Sequence, residues 1–285
     1  FVRVHPNGRF LYVGNGNAVI TGYSIDPATG ALTPLAGSPF PGEFANDSVA
    51  IDPSGHFLYA SDDSSPGTVL AYTIDAATGA LTPVTGSPYA AGNGTDSTVA
   101  APSGRFLYAA NHADSTVSAY SVDPTTGALT PIGNSPIPSG HPVAVVLDPS
   151  GRFLYATLDG AAATLPGVQA FSVDPATGAL TRTAFTFVAG SPSGVAIDSS
   201  GEFLFAANKV SSNVSAFTRD PATGALTPVD GSPVATGSGP IGIATSPAAP
   251  GLAPSIPALA PWGLALLGFL LAGLGAIRLR GHRQG

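Results

Sequence analysis

The sequence predicts an all-β protein, a β-propeller in which five four-stranded blades are present, and three observations lead to this prediction. A motif typified by residues 96–136 recurs along residues 1–247. Its turn glycine returns at intervals of 47, 49, 47 and 50 residues, a period that propeller blades show and that is longer than the roughly 34-residue helical repeats. A composition of 36 Gly, 28 Pro and 9% charged residues suits tight turns between buried strands.

Each copy of the motif contains four short runs of β-forming residues. In the third copy these runs are STVAA, RFLYAAN, TVSAYSV and ALTPI, and they predict the four strands of one blade. A Pro-Ser-Gly turn joins the first two, as in residues 148–151, where Asp148 accepts backbone N–H bonds and Pro149 sets φ. An Asp-x-x-Thr-Gly turn joins the last two, and its glycine is expected at positive φ. These glycines are Gly30, Gly79, Gly127, Gly178 and Gly224.

Aromatic residues recur at one place per blade. The second strands read FLYV, FLYA, FLYA, FLYA and FLFA, and each third strand contains one Tyr or Phe. Because the position repeats in every copy, we assign these rings to packing between blades rather than to ligand stacking. The predicted blades span residues 1–40, 48–88, 97–136, 143–192 and 194–233, and an extra strand is predicted over 240–246.

The two faces of the propeller differ in their loops. Strand alternation places both turns on one face, and the loops after the second strand, together with the connections between blades, on the other. The loops of this second face vary between copies, which indicates a binding side; solvated loops without a ligand are the alternative. The candidate binding residues are Asp62, Asp63, His112, Asp114, His141, Asp159 and Lys209.

Composition excludes several functional classes. Before residue 248 there are seven Lys or Arg against 17 Asp or Glu, a net charge of −10, which argues against a nucleic-acid partner. The absence of Cys excludes disulfides, thiolate metal sites and a Cys nucleophile. Asp62 and Asp63 lack the spacing of a calcium loop. We therefore predict no metal site and no cofactor.

The repeat GRFLYAAN…STVSAYSVDPTTGALTP resembles the lactonase-type seven-bladed propeller family, which is related to the YVTN propellers of surface-layer proteins. The resemblance covers residues 1–247. It implies seven blades in the intact protein, and hence two that this sequence lacks. The chain begins without Met in the middle of a repeat, so we expect a fragment whose upstream part held those blades and any signal peptide.

Members of that family that open sugar lactones show Gly-Pro-Arg-His at the start of a blade's first strand. The corresponding slots here contain no Arg-His pair; they are Asp47-Ser48, Ser97-Thr98, Val143-Ala144, Ser193-Gly194 and Ile241-Gly242. Lactone hydrolysis needs a base and an oxyanion-stabilising group, and His141, just before a slot, is the nearest substitute. We expect His5 and His56 to be exposed structural residues, because the equivalent positions in other repeats hold Asp in the case of His5, and Arg or Glu in the case of His56.

The C-terminal segment differs from the repeats. Residues 248–255 form a Pro/Ala linker, and 256–285 end in a basic tail. The apolar run 262–277 would measure about 24 Å as a helix, slightly short of a ~30 Å bilayer core, and predicts a transmembrane helix. The arginines Arg278, Arg280 and Arg283 would stay cytoplasmic and place the propeller outside the inner membrane.

This order of elements resembles the IPTL-type sorting signal of Gram-negative bacteria, a relative of PEP-type tails. The matching residues are Ile256, Pro257, Ala258, Leu259, Trp262 and Gly263. The resemblance implies a sorting protease of the exosortase type and export to the cell surface, with inner-membrane anchoring before sorting. A permanent single-span anchor is the alternative.

The sequence favours a surface-directed propeller that is a non-catalytic binding or scaffold module, with a surface glycan or protein as its ligand. A lactonase similar to 6-phosphogluconolactonases is the alternative, and a purely structural surface-layer component is a third. A cluster of titratable residues converging on the central channel would favour the enzyme, and a channel lined by small residues would favour the binding module.

Overall fold

Among the residues that the structure describes, five antiparallel sheets follow one another, and each is one blade. The computed structural model describes residues 1–16, 18–42, 48–133, 135–161 and 164–245, which contain strands and no helix. The first strands of the blades pack against one another around a central channel. They span Val2–Val4, Ser48–Ile51, Thr95–Ala100, Pro142–Leu147 and Pro192–Ile197.

The second and third strands form the buried middle of each blade. The second strands span Phe10–Asn15, Phe57–Asp62, Phe106–Asn111, Phe153–Leu158 and Phe203–Asn208. The third strands span Val19–Ile25, Thr68–Ile74, Thr116–Val122, Gly167–Val173 and Asn213–Arg219. In blade three they pair from Phe106 with Ser121 to Asn111 with Thr116. The predicted four-stranded blade is therefore confirmed.

The outer strand is broken in two in four of the blades, so that both pieces pair with the third strand. The pieces are Leu32–Pro34 with Phe40–Pro41, Leu81–Pro83 with Tyr89–Ala90, Leu129–Pro131 with Ile137–Pro138, and Leu226–Pro228 with Val234–Ala235. At the break in blade three the Ser135 hydroxyl accepts a 2.7 Å hydrogen bond from the Ala119 N–H, which satisfies a donor that the ladder leaves open. Blade four has a continuous outer strand, Leu180–Phe187.

Aromatic residues pack between consecutive blades, as predicted. Phe57 and Tyr59 of blade two share a core cluster with Leu107 and Tyr120 of blade three, and the other neighbouring pairs are built the same way. The second-strand tyrosines also donate a hydrogen bond to the turn glycine of the next blade. These bonds are Tyr12–Gly79 at 2.7 Å, Tyr59–Gly127 at 3.1 Å, Tyr108–Gly178 at 2.9 Å and Tyr155–Gly224 at 2.9 Å.

The turn glycines have positive φ, 72° at Gly30 and 74° at Gly127, which confirms the prediction. At Gly127 a second requirement acts, because a Cβ there would lie 2.4 Å from the Phe57 ring of the preceding blade. At Gly30, in the first described blade, a Cβ would meet no described atom within 4 Å. In every blade the turn requires glycine because its backbone has a positive φ. Where another blade precedes it, the turn also requires glycine because the Phe ring of that blade leaves no room for a Cβ.

Two predictions, one for His5 and one for the extra strand over 240–246, need correction. His5 is buried, 6% exposed, because its Nε2 lies 2.8 Å from the Gly55 carbonyl of the next blade's turn; His56 is exposed as predicted. Residues 240–245 form no strand. They run beside the first strand of blade five, where Thr245 donates a 2.9 Å hydrogen bond to the Ile197 carbonyl. The predicted transmembrane helix and sorting residues lie outside the described residues, within which no helix has the length and apolarity to cross a bilayer.

The two glycines provide a matched pair for testing blade packing. Gly30→Ala should cost about 1–2 kcal/mol, the penalty of a left-handed Cβ. Gly127→Ala should cost a further 1–3 kcal/mol or so, since the Phe57 ring must move. Urea unfolding of both variants measures the difference, and equal losses would show that the Phe57 contact contributes nothing to stability.

The same turns predict an acid sensitivity. Hydrogen bonds from the backbone N–H groups of Thr126 and Thr125 hold the pKa of Asp123 below its ordinary value. Hydrogen bonds in the matching turns lower the pKa of the equivalent carboxylates, which are Asp26, Asp75, Asp174 and Asp220. A carboxylate whose pKa is lower in the folded than in the unfolded state stabilises the fold above the unfolded-state pKa of about 3.9. This stabilisation is lost as the pH falls through the folded-state pKa.

We therefore expect the free energy of unfolding to fall below about pH 4, as urea titrations at stepped pH would measure. Asp123→Asn keeps an oxygen acceptor without a charge, so its unfolding free energy should depend less on pH. A wild type and variant with parallel pH profiles would contradict this explanation.

Candidate functional site

Three of the predicted loop residues meet at the top of blades three and four. His112 directly follows the second strand of blade three, Asp159 directly follows the second strand of blade four, and His141 precedes the first strand of blade four. The Nε2 atom of His112 lies 3.0 Å from the Asp159 carboxylate. The His112 and His141 rings are edge to face, with centroids 5.1 Å apart. Sequence separation hid this cluster, and the packing of neighbouring blades creates it.

Short contacts hold the cluster in place. Asn111, fully buried, donates 3.0 and 2.8 Å hydrogen bonds to the Thr116 and Ser118 hydroxyls and fixes the chain just before His112. The His112 N–H donates to the Gly94 carbonyl at 2.7 Å. These contacts set the backbone from which the imidazole projects.

The acidic member of the cluster is held equally well. The second carboxylate oxygen of Asp159 accepts a 2.8 Å hydrogen bond from the Ala161 N–H, and its carbonyl accepts a 2.6 Å bond from the Ser191 hydroxyl. Its side chain is 27% exposed. The carboxylate is thus oriented from blade four while one oxygen faces His112.

His141 has an unusual backbone and an unpaired nitrogen. Its φ is 38°, a left-handed value that is uncommon for a residue with a Cβ. Its Nδ1 atom is buried and has no hydrogen-bond partner among the described residues. Such strain and lack of a partner persist where the surrounding structure enforces them, and they concentrate at functional sites.

A fourth residue of the site was missed by the sequence analysis. The Asp96 carboxylate lies 3.9 Å from the Nδ1 atom of His112, a separation that a water molecule can bridge. Asp96 is the extra residue of a β-bulge between Thr95 and Ser97. Strand pairing aligns Asp96-Ser97 with Val143-Ala144, so the slot assigned to Ser97-Thr98 was wrong by one residue.

The bulges of three blades open onto one cavity. A cavity of about 390 Å³ lies at the channel mouth, lined by Phe1, Asp96, Val143, Ser193, Lys209, Ile241 and Gly242. Asp96, Val143 and Ser193 are the bulged residues of blades three, four and five. Below it the channel is lined mainly by small and apolar residues such as Val99, Ala144 and Gly194. Asp96 therefore faces both the cavity and the His112 cluster.

The remaining predicted residues are divided between structure and solvent. Asp62 is buried and accepts hydrogen bonds from the Ser64 backbone and hydroxyl. Asp114 accepts bonds of 2.7 and 2.9 Å from the backbone and side chain of Asn93, so it ties two loops together. Asp63 and Lys209 are exposed, and Lys209 lines the cavity.

Comparison with known proteins agrees with this architecture. The family model described as lactonase, 7-bladed beta-propeller, matches residues 1–97, 85–196 and 166–240. The IPTL-CTERM motif matches residues 254–281, which marks the C-terminal segment as a sorting signal. Among curated proteins, no sequence matches the chain.

Solved structures share the fold at low sequence identity. A protein of Bacteroides uniformis, provisionally described as a 6-phosphogluconolactonase, is 18% identical with a TM-score of 0.62 over 84% of this chain and 86% of its own. One from Bacteroides fragilis, described in the same way, is 21% identical with a TM-score of 0.61 over 85% of each chain. The periplasmic gluconolactonase PpgL of Pseudomonas aeruginosa is 20% identical with a TM-score of 0.50 over 84% and 85%.

Proposed function

The chain belongs to the lactonase family of seven-bladed β-propellers, and from this membership we propose that it is an exported hydrolase of a sugar-type lactone. The observation that supports the proposal is the cluster of His112, His141, Asp159 and Asp96 beside the cavity at the channel mouth. A titratable cluster at this place is what an enzyme needs and a passive scaffold does not. This proposal revises the preference for a non-catalytic module that the sequence alone suggested.

The reaction fits the groups present. Water adds to the lactone carbonyl carbon, the ring C–O ester bond breaks, and the proton released by water ends on the ring oxygen, which gives the open hydroxy acid. The cluster supplies the groups that activate the water. The Lys209 ammonium, which lines the same cavity, supplies positive charge for the oxyanion that develops. A cavity of about 390 Å³ lies within the size range of small-molecule sites.

A non-catalytic binding module remains the second candidate, with a specific observation in its favour. The slots where sugar lactonases have Arg-His hold Asp96-Ser97, Val143-Ala144 and Ser193-Gly194, and the channel beneath is lined mainly by small residues. Such a channel could accept part of a surface glycan or a protein loop without chemistry.

The sorting motif supports export as part of the proposal. We propose that a protease of the exosortase type recognises residues 254–281, that the apolar run 262–277 anchors the chain in the inner membrane before sorting, and that the propeller functions at the cell surface. The net charge of −10 on the repeats is compatible with a sugar ligand and unfavourable for nucleic acid.

Hydrolysis of δ-gluconolactone and its 6-phosphate by the purified protein tests the enzymatic proposal. We expect turnover above the spontaneous rate, and we expect His112→Gln and Asp159→Asn to lower kcat by about 10²–10⁴. His56→Gln is the control, because His56 is exposed in a turn on the opposite face. Absence of turnover in the wild type would favour the binding module, and wild-type turnover in both variants would place the site elsewhere.

Localisation of a truncated chain tests the export proposal. Deleting residues 254–281 should remove the protein from the cell surface of a Gram-negative host that has the sorting protease, as surface labelling and fractionation would measure. A chain that lacks residues 254–281 and still reaches the surface would show that the motif is dispensable.

A further inference from the structure

We propose that His112, His141 and Asp159 bind a divalent transition-metal ion of the Zn²⁺ class. Binding itself is inferred from geometry, whereas any part the ion has in lactone hydrolysis rests on the proposed function. The sequence analysis predicted no metal site, because the three residues are separated by 29 and 18 positions and match no ligand spacing. Blade packing is what brings them together.

The distances suit coordination of one ion. One ligand atom from each residue can be chosen so that all three lie within 4.8 Å of one another. Two ligands bound 2.0–2.1 Å from Zn²⁺ at a tetrahedral angle lie about 3.3 Å apart, and His112 Nε2 and the Asp159 oxygen are already 3.0 Å apart. The His141 nitrogen lies within 4.8 Å of the other two atoms, so side-chain movement must bring it closer when an ion binds.

The donor atoms identify the class of ion. Two imidazoles and one carboxylate suit Zn²⁺ and its neighbours among the transition metals, whereas Ca²⁺ and Mg²⁺ prefer oxygen ligands throughout. Three protein ligands leave a coordination position open, as in catalytic zinc sites, where the metal lowers the pKa of a bound water. The same arrangement would explain how a cluster without an Arg-His pair activates water for lactone hydrolysis.

The ligands are available for an ion. All three side chains are partly exposed, so an ion can enter from solvent. The buried Nδ1 of His141 has no hydrogen-bond partner among the described residues, so no protein contact competes for it. The backbone at His141 is left-handed, with φ 38°, and its ring packs edge to face against the His112 ring.

Groups that can hydrogen-bond to the metal ligands from behind are also present. Metal-ligating histidines donate their second ring N–H to a carboxylate, carbonyl or water. Asp96 lies 3.9 Å from the Nδ1 of His112, where it can accept that proton directly after a small shift or through one water. The Ala161 N–H donates to the second oxygen of Asp159 at 2.8 Å. The Asp159 carboxylate is therefore oriented from behind, and Asp96 lies where it can orient the His112 ring.

Titration calorimetry of the chelator-treated full chain with ZnCl₂, and the visible spectrum of the chain with CoCl₂, test this site. We expect one equivalent of Zn²⁺ and tetrahedral Co²⁺ absorption. His112→Gln should weaken binding at least ~100-fold, as should His141→Asn, chosen because Asn tolerates a left-handed backbone. Asp96→Asn should weaken it about 10–100-fold. His56→Gln should bind like the wild type.

Thermal unfolding of each variant without metal establishes that the fold is intact. Failure of the wild type to bind Zn²⁺, or binding that folded His141→Asn and His112→Gln variants retain, would overturn the inference. Lactone hydrolysis by a protein that binds no metal would overturn it and leave the proposed function standing. Zinc binding by a protein that hydrolyses no lactone would support the metal site and count against the proposed function.

Discussion

The structure depends on one contact between consecutive blades, in which a Phe and a Tyr of the second strand pack against and hydrogen-bond to the turn glycine of the next blade. The Phe57 ring covers Gly127, and the Tyr59 hydroxyl donates to the same glycine's carbonyl. Burial raises the pKa of Tyr59 well above its ordinary value, so the phenol is a neutral hydrogen-bond donor at neutral pH. Four such hydrogen bonds, each contributing about 0.5–1.5 kcal/mol, fix how each blade sits on its neighbour.

That contact lies on the turn face, and the candidate site lies on the opposite face, so the two do not compete for residues. The position directly after the second strand holds Asp63, His112, Asp159 and Lys209 in blades two to five. Because the turns hold neighbouring blades in a fixed relation, adjacent copies of this position come close together. In this row His112 and Asp159 come within 3.0 Å of each other, and the connection between their blades supplies His141.

The sequence was sufficient for the fold and insufficient for the site. Strand runs, turn chemistry and interblade aromatics such as Phe57 follow from local patterns that repeat five times, so errors in one copy are corrected by the others. His5 was misjudged because its burial depends on the neighbouring blade's Gly55 turn. Asp96 was missed because the slot of its blade was assigned to Ser97-Thr98, one residue too far along the chain. Proximity of His112 and Asp159 arises from packing and has no local signature.

The bulges explain why chemistry is concentrated at this rim of the channel. In a regular first strand, side chains alternate between two rows, one on each face of the sheet, and residues that line the channel here, such as Val99 and Val146, are mainly apolar. A bulge adds one residue that belongs to neither row, and in blades three to five it faces the mouth cavity. The residue type at that position can change without disturbing strand pairing or the Phe–Tyr–Gly contact between blades. Asp96 in one copy, Val143 in the next and Ser193 in the third show this freedom, and the site forms where the acidic copy lies beside His112.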